Sequence, residues 1–174
     1  KTSIRLFADD TKIWNTISNQ QDADKLQRDL DQLQKWSDEW LLKFNAEKCK
    51  VMHVGHDMKT VYHLQDNGVP VILQQTTEER DLGLIITCDL KPTKQCMTAA
   101  NKARSIIGLI NRHLKNLNEK QFLLLYKTYI RPHLEYAVQA WSPWLRKDID
   151  LLERVQRVAT KLVPRLRNLE YETR

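Results

Sequence analysis

With 174 residues, 41% of them hydrophobic and 29% charged, the chain has enough apolar content to bury a real core, as one domain or as two small ones. No uninterrupted apolar run approaches ~20 residues, so no membrane-spanning helix is expected, and no secretory signal is visible. The net charge of +6 is unevenly spread: residues 1–86 hold 11 Lys/Arg against 14 Asp/Glu, and residues 87–174 hold 17 against 8. An acidic half that could collect metal thus joins a basic half that could hold phosphate, although charge runs also serve as plain solvated faces.

The first predicted element is a hairpin. Ile4 to Leu6 and Ile13-Trp14 flank Phe7-Ala8-Asp9-Asp10, which reads as strand, tight turn, strand. Two adjacent carboxylates at a turn repel each other, and a hard divalent cation such as Mg²⁺ relieves that cost. Asp is also a common turn residue for its backbone bonds alone. Asp22 is placed to cap a helix running to about Phe44, with Ala23, Leu26, Leu30, Leu33, Trp36, Trp40 and Phe44 as its packed stripe. Helix-spaced aromatics are core more often than base-stacking platforms, so Trp36 and Trp40 are expected inside.

Cys49 to Val54 alternates and is expected as a strand returning beside the hairpin. Asn67-Gly68 within Val61 to Leu73 favours a type I′ turn, with Pro70 on an edge strand. Leu82 to Thr87 reads as a short apolar strand. From Lys91 the pattern turns helical, with Met97, Ala100, Ala103, Ile107, Ile110, Leu114 and Leu117 about 3.5 residues apart. Asn118 with Gln121 resembles a capping box for a helix carrying Phe122, Leu125, Tyr126 and Tyr129, which Pro132 kinks or ends. Asp148 is expected to cap a last helix on Leu151, Leu152, Val155, Ala159 and Leu162, stopped by Pro164. Such closely spaced helices predict a small antiparallel bundle. Cys49, Cys88 and Cys96 lack CxxC spacing and read as thiols in a reducing compartment. His53, His56 and His63 lack a fourth ligand at a zinc spacing and read as structural or exposed. Arg154, Arg157, Lys161 and Arg165 follow i, i+3, i+7, i+11 spacing, a row able to track a phosphate backbone or simply a solvated face. Arg104, Arg112 and Lys115 could extend that surface.

Phe7-Ala8-Asp9-Asp10 resembles the aromatic-x-Asp-Asp box of reverse transcriptases, and the rest resembles the non-LTR, LINE-type (jockey-like) retrotransposon branch. Asn45-Ala46-Glu47-Lys48-Cys49-Lys50-Val51-Met52 is similar to motif D. Asp81-Leu82-Gly83-Leu84 is similar to the primer-grip Leu-Gly. Leu124-Leu125-Tyr126, Arg131-Pro132-His133-Leu134-Glu135-Tyr136, Trp141 and Leu151-Leu152-Glu153-Arg154-Val155-Gln156-Arg157 are similar to the post-palm helices. The resemblance is collinear and covers nearly the whole chain; the ordered set is far more specific than the Asp-Asp box.

This resemblance implies an α+β chain: 1–90 as the C-terminal part of a polymerase palm, an antiparallel sheet with a packing helix, then 91–174 as an α-helical thumb bundle. It implies an RNA-directed DNA polymerase working through two Mg²⁺ ions ~3.5–4 Å apart, with Asp9 the main metal ligand and Asp10 a second ligand or electrostatic helper. Lys48 would neutralise or protonate the leaving pyrophosphate, with Lys50 the rival in that role. Phe7 and Leu82-Gly83 would lie at the primer. Arg154, Arg157, Lys161 and Arg165 would hold the hybrid duplex of RNA template and DNA primer. The family's upstream metal Asp, fingers and incoming-base segment have no counterpart here, and the chain begins at Lys1 within the hairpin region. It therefore reads as an excerpt of a longer polyprotein-like chain or of a truncated copy, inactive alone, needing dNTP, primer–template and the missing N-terminal part of the polymerase as partners. The family location is intracellular, in the nucleus or a cytoplasmic ribonucleoprotein. A non-catalytic nucleic-acid-binding remnant, a helical protein-interaction module and a palm-like nucleotidyl cyclase are the rival readings.

Overall fold

The computed structural model describes residues 2–55 and 60–173. It divides into two compact units, Lys1–Thr77 and Glu78–Arg174. That division falls earlier than the expected 90/91. Cut at this point, the charges become 10 Lys/Arg against 11 Asp/Glu and 18 against 11, so the contrast between the halves softens to −1 and +7.

In the first unit, Ser3–Phe7 (β1) and Asp10–Trp14 (β2) form the expected antiparallel hairpin, with Phe7 opposite Asp10 and Ala8-Asp9 as the turn. Gln20–Glu39 (α1) is capped by Asn19 rather than by Asp22: the Asn19 carboxamide accepts from the Asp22 N–H at 3.0 Å, and the Asp22 carboxylate accepts from the Ser18 N–H at 2.9 Å. The helix stops five residues before Phe44. Leu41 takes a left-handed φ of 56°, the Leu42 N–H donates back to the Ser37 carbonyl at 2.9 Å and the Leu41 N–H to the Asp38 carbonyl at 3.3 Å. This is a Schellman stop with leucine where glycine is usual.

The buried stripe of α1 is Ala23, Leu26, Leu30, Gln34 and Ser37. Trp36 and Trp40 are instead 44% and 66% exposed, a correction to their expected core role. They follow the 3.6 spacing approximately, but from residue 34 the inward face is polar and short, and the aromatics fall beside it.

Lys50–Met52 (β3) does not pair with the hairpin. It runs parallel to Gln74–Thr76 (β6), while His63–Asp66 (β4) and Val69–Ile72 (β5) form the second hairpin around Asn67 and Gly68, at φ 49° and 81°. Both turn residues have the positive φ of the predicted type I′ turn. Pro70 sits on β5, which among the described residues pairs only with β4 and so leaves an edge that Pro tolerates. Among the described residues the strands make four separate two-stranded ladders rather than one antiparallel sheet. Mixed helix and short strand is compatible with an α+β class. Leu26, Leu30, Ala46, Tyr62, Leu64 and Leu73 form the core of this unit. Gln27 bridges α1 to β4 by donating to the His63 carbonyl at 3.0 Å and accepting its N–H at 3.1 Å.

The second unit begins with a hairpin, Glu78–Asp81 (β7) and Leu84–Thr87 (β8), turned at Leu82-Gly83. The expected strand from Leu82 therefore starts two residues later. This hairpin belongs with the helices for specific reasons. The Ile85 N–H donates to the buried Gln95 carboxamide at 2.9 Å, Lys94 pairs with Glu78, and Leu84 packs on Cys96, Ala99 and Trp141.

Thr93–His113 (α2) buries Gln95, Cys96, Ala99, Ala100, Ala103, Ile107 and Ile110; Met97 and Leu114, expected inside, are 49% and 44% exposed. The Asn118–Gln121 capping box opens Glu119–Leu125 (α3) as predicted. Pro132 does not end the helix. A π-helical stretch, Tyr126–Ile130, precedes Arg131–Glu135 (α4), and the Arg131 N–H donates five residues back to the Tyr126 carbonyl. Pro lacks an N–H and crowds the carbonyl four residues earlier, so a widened turn before it lets the helix continue. Val138–Trp141 (α5) and Arg146–Thr160 (α6) complete the bundle.

Asp148 is not the cap of α6; Leu145 is. The Asp148 side chain is buried in the first helical turn and accepts from the Thr93 hydroxyl at 2.8 Å, joining the N-terminal turns of α2 and α6. The helix ends at Thr160, before Pro164, which opens a 3-10 turn, Pro164–Leu166. The main core here is Ala100, Ala103, Ile107, Ile110, Phe122, Ile130, Val155 and Ala159 with their neighbours. No helix among the described residues is long and apolar enough to cross a membrane.

Candidate active site and nucleic-acid interface

The Asp-Asp hairpin is built by its register. Residues opposite each other in an antiparallel pair share a face, and neighbours alternate. Phe7, Asp10, Arg5, Lys12 and Trp14 therefore lie on one face, and Ile4, Leu6, Thr11 and Ile13 on the other. Ile13 reaches the core of the first unit, whereas Ile4 and Leu6 are 40% and 65% exposed. Phe7 is 63% exposed. The Arg5 guanidinium lies 5.9 Å from the centre of the Trp14 ring, a cation–π contact that organises this face.

Asp9 stands in the turn and Asp10 opens β2; both are exposed, and neither carboxylate is held by a hydrogen bond or ion pair to a described residue. Two free carboxylates of this kind are the oxygen donors Mg²⁺ takes, and water and substrate phosphate commonly complete its octahedron. Among the described residues no third His, Cys, Asp or Glu joins them in a cluster able to hold a metal. The turn carries strain: Ala8 has φ 52°, where an L-residue is disfavoured by ~1–2 kcal/mol. Such strain tends to cluster at functional turns.

Lys48 is exposed at the turn leading into β3, its N–H held by both the carbonyl (3.0 Å) and carboxamide (3.2 Å) of Asn45. Lys50, its rival, is engaged: its ammonium donates to the Glu47 carbonyl and to the Gln74 side chain on β6. Lys48 is thus the freer of the two. Because β3 pairs with β6, the expected adjacency of the motif D strand to the carboxylate hairpin is not formed. His53 is bonded to the Thr60 hydroxyl at 2.9 Å, His63 lies on β4, and His56 lies outside the described residues.

In the second unit Leu82 and Gly83 form a tight turn at φ 45° and 85°. Tyr136 holds it: its hydroxyl donates to the Leu82 carbonyl at 3.0 Å, and a Cβ at position 83 would lie 3.3 Å from the Tyr136 ring. Glycine is needed there both for its φ and for this close approach. No local sequence pattern marks Tyr136 for this role, since its partner is 54 residues away.

The basic row is shorter than its spacing promised. Arg154 and Arg157 lie on α6, Lys161 is its C-cap, and Arg165 lies beyond it on the 3-10 turn. Arg157 stacks over Tyr171 at 4.9 Å, and the Tyr171 hydroxyl bonds Glu153 at 3.1 Å. Arg157 is therefore packed as well as charged. Burial, reinforced by the nearby Asp148 carboxylate, pushes the Cys96 thiol up to about 11, and burial also raises Cys49. Neither thiol is activated as a nucleophile.

No family model and no solved structure matches this chain. It is 26% identical over 159 residues to the RNA-directed DNA polymerase from mobile element jockey of Drosophila funebris, covering 88% of this chain and 17% of that protein. The chain thus spans about a sixth of the length of that relative. A match along nearly the whole chain supports a distant, reverse-transcriptase-like and transposable-element relationship for this sequence.

Proposed function

We propose that the chain is a segment of a reverse transcriptase, containing the carboxylate hairpin of the palm followed by a helical thumb. The observation that carries the reading is the collinear likeness to a mobile-element RNA-directed DNA polymerase over 88% of the chain, with Phe7-Ala8-Asp9-Asp10 forming a two-residue turn whose carboxylates are free. Asp9 and Asp10 would hold Mg²⁺, which when bound activates the primer 3′-hydroxyl and stabilises the leaving pyrophosphate. Phe7, exposed on the Asp10 face, would meet the primer end. Lys48, uncommitted and exposed, would neutralise the pyrophosphate. The Leu82-Gly83 turn would offer backbone to the primer, steadied by Tyr136, and Arg154, Arg157, Lys161 and Arg165 would face the hybrid duplex.

On this reading Ile4 and Leu6, exposed on a strand that pairs among the described residues with β2 alone, would be covered by palm strands of a longer polymerase. The segment alone is therefore expected to be inactive. A non-catalytic nucleic-acid-binding role is favoured by one observation of its own, the +7 balance of Glu78–Arg174. Primer extension on an RNA template with dNTPs and Mg²⁺ separates the two. The chain is compared with one extended by the upstream palm and fingers, each with an Asp9→Ala control. Extension only by the longer chain, lost in the control, is expected. A folded longer chain that does not extend would remove the polymerase reading and leave the binding one.

A further inference from the structure

We infer that a groove between α2 and the end of α6 binds one unpaired nucleotide of a single strand. This deepens the nucleic-acid reading above: the groove shares Lys161 with the basic row and adds Arg104 and Arg167. The groove has a volume of about 380 Å³ and is lined by Arg104, Ile107, Gly108 and Asn111 from α2, and by Val158, Lys161, Leu162 and Arg167. The first four follow i, i+3, i+4, i+7 spacing and so share one helix face. Every charge in the lining is positive. The Arg167 Nε–H donates to the Lys161 carbonyl at 3.3 Å, which points the guanidinium to the end of α6 and leaves its other donors available. Arg104 and Lys161 make no side-chain hydrogen bond or ion pair with a described residue.

Two features separate this site from a generic cationic patch. Its lining includes three apolar side chains, Ile107 buried, Leu162 half-buried and Val158 exposed. A duplex presents chiefly phosphates to such a lining, whereas an unpaired nucleotide also offers its exposed sugar and base to the apolar side chains while its phosphate meets the cations. The volume lies near the small end of the ~300–1,000 Å³ of ligand sites.

The second feature is Gly108. It sits inside α2, where glycine costs ~0.5–1 kcal/mol relative to alanine, and a Cβ there would meet nothing within 4 Å. Neither turn geometry nor internal packing requires it. A glycine on the wall of a groove lets a ligand approach the backbone. The alternative, that Lys161 and Arg167 merely complement the α6 dipole, accounts for neither Gly108 nor Arg104.

The test is fluorescence anisotropy of the whole chain with labelled single-stranded RNA and DNA and with the RNA–DNA duplex, over a salt series. Gly108→Glu, which the open space accommodates, and the triple Arg104→Gln/Lys161→Gln/Arg167→Gln are compared with Lys120→Gln on α3, which matches the single charge change of Gly108→Glu. Melting curves check folding. Single-strand affinity is expected to fall at least about tenfold in both groove variants and to change little in Lys120→Gln. The salt slope of the triple variant should be shallower by ~0.7 for each phosphate it no longer neutralises. Groove variants binding like Lys120→Gln would overturn the site, as would a wild-type chain that binds no single strand. Equal weakening of duplex and single strand by Gly108→Glu, which leaves Lys161 of the basic row in place, would overturn the unpaired-nucleotide assignment. None of these results depends on Asp9, so they fail or stand apart from the primer-extension test.

Discussion

Thr93→Val should destabilise the helical unit out of proportion to its size. Thr93 is the first residue of α2, and its hydroxyl donates at 2.8 Å to the Asp148 carboxylate, which is only 2% exposed in the first turn of α6. Valine keeps the shape and deletes the donor. A hydrogen bond to a charged group contributes ~1.5–3 kcal/mol, and the loss approaches the upper end when the stranded oxygen is buried. For a unit the size of Glu78–Arg174, ~2 kcal/mol corresponds to roughly 8–16 °C in Tm. Asp148→Asn retains a carbonyl acceptor for Thr93 and gives up the carboxylate's interaction with the α6 N-terminus, ~0.3–1 kcal/mol. It should cost less than Thr93→Val. The double variant should cost less than the two singles together, because the second change removes the charge that the first left unpaired. Denaturant unfolding of the whole chain, followed by far-UV circular dichroism, gives all four corners of the cycle. If Thr93→Val stays within ~0.5 kcal/mol of wild type, the bond does not hold α2 to α6 and the reasoning fails.

Leu41→Gly should stabilise the first unit by ~0.5–1 kcal/mol, because Leu41 occupies φ 56° at the end of α1 and, at 83% exposed, has almost no packing to lose; a lower or unchanged unfolding midpoint would contradict this, and Leu41→Ala should bring no such gain. Stability should also fall as pH rises from about 9 to about 11. The folded Cys96 thiol keeps its proton to about 11 while the unfolded one releases it near the ordinary thiol value of 9.0, so the folded state binds more protons within that window and loses the advantage as pH climbs through it. The loss is on the order of 2 kcal/mol. Measured by urea unfolding at several pH values, Cys96→Ala should show a shallower decline than wild type, and parallel declines would assign the effect elsewhere.

Short-range chemistry was legible in the sequence wherever a residue's own backbone decided the outcome. The Asp-Asp hairpin, the Asn67-Gly68 turn and the Asn118–Gln121 capping box all follow from φ preference and side-chain bonds over three or four residues. The buried run from Ala100 to Ile110 follows from 3.6-residue periodicity in the same way. The carboxylate pair and its likeness to a polymerase box were equally readable, because both lie within one turn.

Tertiary structure decided everything that needed a distant partner. Lys50–Met52 has the alternation of a strand, but only the fold selects β6 over the hairpin as its neighbour. The hairpin of Glu78–Asp81 and Leu84–Thr87 joins the helices because Gln95, Lys94 and Tyr136 reach it, which moves the boundary to Thr77. Asp148 has the local signature of a cap but is a buried anchor, because Thr93 arrives from 55 residues away. Trp36 and Trp40 carry the right spacing, yet the face they occupy meets no core. The groove of Arg104, Gly108, Lys161 and Arg167 likewise exists only where two helices meet. Periodicity says that a face is apolar or basic; which surface it meets depends on contacts whose energy is absent from any local stretch of chain.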